Sequence, residues 1–252
     1  MTTAIITMAG FGRRFLDAGY KVPKYRIIVH ERSLFSWAML SLAQFIEAGT
    51  DFVFVARAAD EAETFIREQA AALNIRSTNV VQLDAPTDGQ ATTALAAGPA
   101  LRDPDAPVII YNIDTFVHPL ALSPADVRGE GWIPCFGAAG DGWSFADADS
   151  TGLVRQVREK VRISPHATIG LYWFSSFRLY EQLYQRRYRP SAQLDAGERY
   201  VAPIYNELIE AGDPVYIQDL TLSAVIPLGV PAEVERFAEA SPPDLRRKPE
   251  FP

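Results

Sequence analysis

Apolar residues in the first half of the chain gather in short runs at 5–9, 51–57, 79–83 and 108–113, each compact enough to be a buried strand. Between these runs the apolar spacing changes to that of helices. Ser33 is placed to cap a helix through Leu34, Trp37, Leu40, Leu42 and Phe45 that ends at Gly49. Asp60 and Glu63 form a capping box for a helix ending near Leu73, and 91–101 reads as a third helix. Strand and helix alternate, a grammar that builds a mostly parallel sheet covered on both faces, with ligands at the carboxyl ends of its strands.

From Gly131 the pattern changes to strands at 132–138, 152–157 and 168–174, separated by turn-rich segments such as 147–152. Helices follow at 177–188 and 201–211, the second stopped by Gly212, with short strands at 215–217 and 224–227 and a last helix from near Pro231. No linker or internal repeat divides the chain. The prediction is therefore α/β: one Rossmann-like, three-layer α/β/α domain over 1–240, with a mixed, mostly parallel central sheet and an extended, loosely held tail over 241–252.

With 252 residues, 48% of them apolar, the chain can bury one large core without covalent staples. A single cysteine, Cys135, cannot form an internal disulfide, and no leader-like segment opens the chain, so a reducing, cytoplasmic setting is expected. No apolar run reaches the length of a membrane-spanning helix. A net charge of −7 speaks against a nucleic-acid footprint and makes any cluster of cations a local feature. Composition leaves the oligomeric state open.

One such cluster follows the first strand, where Gly10-Phe11-Gly12-Arg13-Arg14-Phe15 leads on to Pro23-Lys24. Two glycines let the backbone turn and bring bare N–H groups against an anion, Arg14 can grip phosphate oxygens by paired hydrogen bonds, and Lys24 adds a point charge. A triphosphate is the ligand implied, although a plain turn after a strand has the same G-x-G. Neither G-x-x-x-x-G-K-[ST] nor the three-glycine dinucleotide pattern is present. Over 8–15 and 19–24 the chain resembles the G-x-G-x-R-F…P-K signature of the sugar nucleotidyltransferases, a family of GT-A-like fold. Tyr25-Arg26 departs from that family's Pro-Leu. The resemblance implies that Ala9, Gly10, Gly12 and Arg13 wrap the phosphates of an NTP while Arg14 and Lys24 neutralise the departing pyrophosphate. It also makes 1–130 an NTP-binding half and 131–240 an acceptor-binding half.

Further segments carry the likeness to Phe237. Asp114, at the end of the fourth strand, can cap a turn or hold the hard cation Mg²⁺, and the family has its metal-binding Asp at this point. Thr87-Asp88-Gly89-Gln90-Ala91 resembles the segment facing the nucleobase, which assigns Gly89 and Gln90 to the NTP, while Asp88 also fits a helix N-cap. Glu159-Lys160 taken alone is a solvated charge pair. Its place before Thr168-Ile169-Gly170-Leu171-Tyr172 is similar to the family's E-K and G-I-Y segments, implying Glu159 for acceptor hydroxyls, Lys160 for the acceptor phosphate and Gly170 for clearance around the acceptor ring. Segments 198–206 and 227–237 resemble E-x-Y-x-A-P-x-Y-N and L-G-T-P-x-D-L-x-x-F of a compact branch found with capsule and surface-polysaccharide genes, adding Glu198 and Tyr200 to the acceptor side. The family's second metal-binding Asp is missing, with Pro227-Leu228 in its place. Either Asp114 acts with phosphates and water, or another carboxylate such as Asp219 substitutes. His30, His118 and His166 lack metal spacing, and Cys135 suits a core better than a nucleophile.

The activity implied is a Mg²⁺-dependent transfer of NMP from an NTP to a sugar 1-phosphate or a related phosphate monoester such as phosphocholine, releasing pyrophosphate. Two alternatives stay open. A catalytically silent nucleotide-sugar-binding protein would share the fold, and so would a GT-A glycosyltransferase, although Asn112-Ile113-Asp114 is not the D-x-D such an enzyme uses.

Overall fold

The computed structural model describes residues 1–189 and 197–247. Four parallel strands, β1 (Thr3–Thr7), β2 (Asp51–Arg57), β3 (Thr78–Leu83) and β4 (Val108–Asn112), lie side by side in the order β3-β2-β1-β4. The later strands are β5 (Gly131–Gly137), β6 (Ser144–Ala148), β7 (Val154–Glu159), β8 (His166–Thr168), β9 (Leu171–Phe174) and β10 (Val215–Leu220). Because β9 pairs antiparallel with β4, one ten-stranded mixed sheet runs β7-β6-β8-β5-β9-β4-β1-β2-β3, with β10 parallel to β5.

Alternation within each strand fills two cores. Ile6, Phe54 and Tyr111 face α2 (Leu34–Leu40) and α4 (Glu63–Ala72), meeting Phe35, Met39 and Ile66, while Ile5, Val53 and Ile110 face the opposite way. That second face packs on α5 (Gln90–Leu95), α6 (Phe177–Arg187) and α7 (Tyr205–Ala211) through Ala94, Tyr180 and Leu208. Helices therefore cover both sides of the sheet, as expected. A third cluster joins Phe15 on the short α1 (Arg13–Asp17) and Trp37 to Phe237 on α8 (Pro231–Glu239), with Trp37 and Phe237 edge-on at 5.1 Å between ring centroids.

Several local expectations need correction. Ser33 does cap α2, its hydroxyl accepting from the Ser36 N–H at 3.0 Å, but the helix stops at Leu40 and resumes as α3 (Ala43–Glu47). At the break the Ser41 hydroxyl accepts from the Val117 N–H and the Tyr111 hydroxyl, at 2.8 and 3.1 Å, a tertiary use that local spacing does not reveal. The Asp60–Glu63 capping box is absent. Asp60 lies in the 3-10 turn Ala58–Asp60 and accepts from Arg57 Nε at 3.2 Å, and α4 starts after Ala62 without a side-chain cap. The 91–101 helix shortens to α5, then a 3-10 turn at Gly98–Ala100 that contains Pro99. The expected strand at 168–174 is broken at Ile169-Gly170, where Gly170 takes φ +78°. That break lets β8 pair with β5 and β6 while β9 pairs with β5 and β4. β6 was not foreseen, β7 extends to Glu159, and β10 extends to Leu220. In the tail, Asp244 O lies 3.0 Å from His118 Nε2 and Leu245 packs on the third cluster, so its first residues are held; the final five lie outside the described residues. Among the described residues no helix is long and apolar enough to cross a membrane.

Candidate active site

The carboxyl ends of β1 and β4 and the segment after β3 open on a cavity of about 840 Å³, and every residue assigned above to the NTP, the acceptor or the metal lines it except the alternative carboxylate Asp219. Beyond Thr7 one more sheet bond, Met8 N–H to Val55 O at 2.9 Å, holds the chain before it turns away as the glycine loop. Gly12 supplies φ +60° at the start of α1, and Phe15 is buried in the third cluster, leaving Arg13 and Arg14 exposed toward the cavity. A Cβ on Gly10 would meet nothing within 4 Å, so a ligand can lie directly on the backbone there. Arg13 and Arg14 have no carboxylate partner among the described residues.

Pro23 leads into a 3-10 turn, Lys24–Arg26, in which the departure from the family pattern has a packing explanation. Tyr25 is buried against Phe65, and Arg26 donates to the carbonyls of Asp60 and Glu61 at 3.3 and 3.0 Å. Neither faces the cavity. Lys24 does, and its Nζ lies 2.9 Å from Asp114 Oδ2.

Asp114 sits between β4 and a short strand, Thr115–Val117, whose antiparallel partner Val225–Pro227 brings Gly229 alongside. A Cβ on Gly229 would stand 3.7 Å from Asp114 Oδ2 and 3.6 Å from Glu233 Oε2. Glu233 is therefore a second carboxylate in the cavity, fixed by the Gly229 and Val230 N–H groups at 2.8 and 3.1 Å. Sequence reasoning missed it. Its signal, an acidic residue in the first turn of the last helix, reads only as a cap. Asp219 lies elsewhere, 2.7 Å from His166 Nδ1 and lining a separate cavity of about 590 Å³. Among the described residues no three His, Cys, Asp or Glu side chains converge as a metal cage.

At the next strand end Gly89 takes φ +146°, and a Cβ there would fall 2.4 Å from Arg199 O. Two backbone bonds, Arg199 N–H to Asp88 O and Ala91 N–H to Arg199 O, both 2.9 Å, clasp the segment before α5 to the segment carrying Glu198 and Tyr200. Asp88 does not cap α5; it pairs with Arg199 Nε at 3.1 Å and accepts from Thr92 Oγ1. Gln90 Nε2 donates to Asn112 Oδ1, leaving the Gln90 carbonyl for other partners.

Beyond Asn112 lies the acceptor side of the expectation. A Cβ on Gly170 would stand 2.6 Å from Asn112 Nδ2, so the clearance at Gly170 is taken up by a side chain of the protein. Glu159 ends β7, is 9% exposed, and accepts from the Ser144 hydroxyl. Lys160 adopts φ +52°, unusual for a residue with a side chain, and its Nζ reaches the Tyr200 hydroxyl at 2.5 Å and stands 4.7 Å from that ring's centroid. Desolvation pulls the Lys160 ammonium down, but Tyr200, Glu159 and Glu198 together raise it above its ordinary value. Trp143, whose carbonyl accepts from the Lys160 N–H at 2.9 Å, also lines the cavity. Cys135 is fully buried, and burial pushes its thiol well above the usual range, which fits a core residue.

No family model matches the chain, and none of the curated proteins matches it. Solved structures do. The nucleoside-diphosphate-sugar pyrophosphorylase from Vibrio cholerae RC9 is 33% identical, with a TM-score of 0.87 over 94% of this chain and 100% of that chain. The inositol-1-phosphate CTP transferase from T. maritima (14% identical, TM-score 0.73, 95% and 97% covered) has the same fold. So does a glucose-1-phosphate thymidylyltransferase described as putative, from Bacillus anthracis (13%, TM-score 0.74, 97% and 98%). A third of the residues shared over the whole length of the Vibrio protein, on one sheet architecture, means that the chain belongs to the sugar nucleotidyltransferases.

Proposed function

We propose that the protein transfers NMP from an NTP to a sugar 1-phosphate or a related phosphate monoester, with the NTP held by 1–130 and the acceptor by 131–240. The observation carrying this reading is one cavity that unites Arg13 and Arg14, which have no carboxylate partner among the described residues, on a glycine loop with Lys160 and Glu159 from the far half of the sheet. An oxygen of the acceptor phosphate attacks the α-phosphorus, the bond from that phosphorus to the bridging oxygen of the β-phosphate breaks, and pyrophosphate leaves with the electron pair. No covalent enzyme intermediate is needed. Arg14 and Lys24 neutralise the leaving pyrophosphate, Ala9, Gly10, Gly12 and Arg13 wrap the triphosphate, and Gly89 with the Gln90 carbonyl borders the base. Lys160 holds the acceptor phosphate against the α-phosphorus, and Glu159, Glu198 and Tyr200 take the acceptor's hydroxyls, with Gly170 acting through Asn112.

The carboxylates of Asp114 and Glu233 on either side of Gly229 are hard oxygen donors, a chemistry that fits Mg²⁺. Asp114 would hold the ion, Glu233 would take one of its waters, and the ion would offset charge on the phosphate oxygens. The setting we assign is the cytoplasm, supplying activated precursors for surface polysaccharide. Pyrophosphate release, coupled to pyrophosphatase and followed across the NTPs against phosphorylated acceptors, tests the reading. Release with one NTP–acceptor pair is expected. Silence throughout, with NTP still bound in calorimetry, would identify a nucleotide-binding protein without turnover.

A further inference from the structure

We infer that Phe11 and Arg57 form a positioning pair that fixes the tip of the glycine loop for triphosphate binding. Phe11 lies between Gly10 and Gly12 with 42% of its surface exposed, an unfavourable place for a phenyl ring unless something uses its face. The Arg57 guanidinium does, 4.9 Å from the ring centroid. Arg57 is the last residue of β2, beside the root of the loop, and its own freedom is removed by a two-pronged bond to Asp60, whose side chain is 6% exposed. The Gly12 carbonyl is held by the Phe15 and Leu16 N–H groups at 2.9 and 3.2 Å, but the tip has little packing, since a Cβ on Gly10 or on Gly12 would meet nothing within 4 Å. A guanidinium locked at the carboxyl end of β2 and placed over the tip residue therefore replaces the packing that glycines cannot provide.

Arg13 also approaches this ring, at 5.3 Å, but it carries no carboxylate partner among the described residues. The two cations on Phe11 thus differ in role. Arg57 is already neutralised by Asp60 and stays, whereas Arg13 is free to turn to an arriving anion. Arg57 acts through Phe11 and is not a catalytic residue. The inference rests on the reading of the glycine loop as the triphosphate site.

Calorimetry with Mg²⁺-tripolyphosphate, a probe independent of the base, tests it on the full chain, with melting temperatures recorded in parallel. Phe11→Leu and Arg57→Met should each weaken binding by about two- to fivefold, the span of an exposed cation–π contact. The double variant should be no weaker than either single one, and Phe11→Trp should bind like the wild type. With substrates known, KM for the NTP should rise more than kcat falls. Unchanged affinity in both single variants, or additive losses in the double, would overturn the pairing, and a fall in melting temperature without loss of affinity would reduce Arg57 to a fold-stabilising role. If the wild-type protein itself fails to bind the probe, the triphosphate reading of the loop falls instead.

Discussion

Lys24 Nζ and Asp114 Oδ2 meet at 2.9 Å across 90 residues of sequence, so the cation after the glycine loop and the carboxylate after β4 are counterions to one another. Both side chains are partly exposed, 19% and 29%, and a pair of that kind adds only about 0–1 kcal/mol to stability. Its value lies in holding two opposite charges ready at one point, the lysine for phosphate and the aspartate for a cation.

Asp114→Asn should therefore leave the melting temperature within a few degrees of the wild type while Mg²⁺-dependent turnover falls by about 100-fold or more. An Asp that only capped a turn would behave in the opposite way, because Asn caps about as well. Melting and turnover measured on one preparation, with chelation and Mg²⁺ add-back as control, decide between them.

Neighbouring residues on α1 should separate function from fold. Arg14 is exposed, and Arg14→Ala should lower turnover by about 100- to 1,000-fold with little effect on stability. Phe15, 2% exposed in the cluster it shares with Trp37 and Phe237, should cost about 3–5 kcal/mol as Phe15→Ala. Chemical denaturation and pyrophosphate release, run on both variants, check the contrast; an active Arg14→Ala would remove the arginine from the phosphate site.

Two glycines of the cavity should fail for different reasons. Gly89→Ala puts a methyl group 2.4 Å from Arg199 O at a φ of +146°, so the clasp between 88–91 and 199 must open and both substrates should bind more weakly. Gly10→Ala meets no protein atom within 4 Å and should keep its stability, losing only NTP affinity. Calorimetry for each substrate, alongside melting curves, distinguishes the two patterns.

What could be read from the chain alone follows from how local each signal is. The strands β1, β2 and β4 stand out because burial on both faces leaves them mostly apolar, whereas β3, at the end of the sheet, shows only Val80, Val81 and Leu83 between polar residues. Gly10, Gly12, Arg14 and Lys24 lie close together in sequence. Glu233 was hidden because the bonds it accepts from the Gly229 and Val230 N–H groups make it a helix cap, and only the pairing of Thr115–Val117 with Val225–Pro227 sets it beside Asp114. The break at Ser41 and the role of Gly170 were hidden likewise, since Val117 and Asn112 come from distant parts of the chain. Asp219 looked available in sequence, and its bond to His166 could be known only from the folded chain.

The last prediction concerns pH. Lys160 is drawn down by desolvation but raised overall by Tyr200, Glu159 and Glu198, and the Tyr200 hydroxyl is raised by its own burial. Both directions keep the pair as ammonium and neutral phenol around pH 7. A lysine whose folded value exceeds its ordinary 10.5 keeps its charge, and any stability that charge brings, below that value, and loses both as pH rises through the higher one. KM for the acceptor should accordingly stay flat from about pH 7 to 9, where an unperturbed lysine is still largely charged, and rise only beyond the ordinary lysine value. Tyr200→Phe keeps the ring under the ammonium and removes the hydroxyl, so it should move that alkaline limb to lower pH, while Lys160→Arg should move it higher. Profiles of acceptor KM for the three proteins, with the NTP saturating, provide the check. An alkaline limb that ignores both substitutions would mean that Lys160 does not carry the acceptor phosphate.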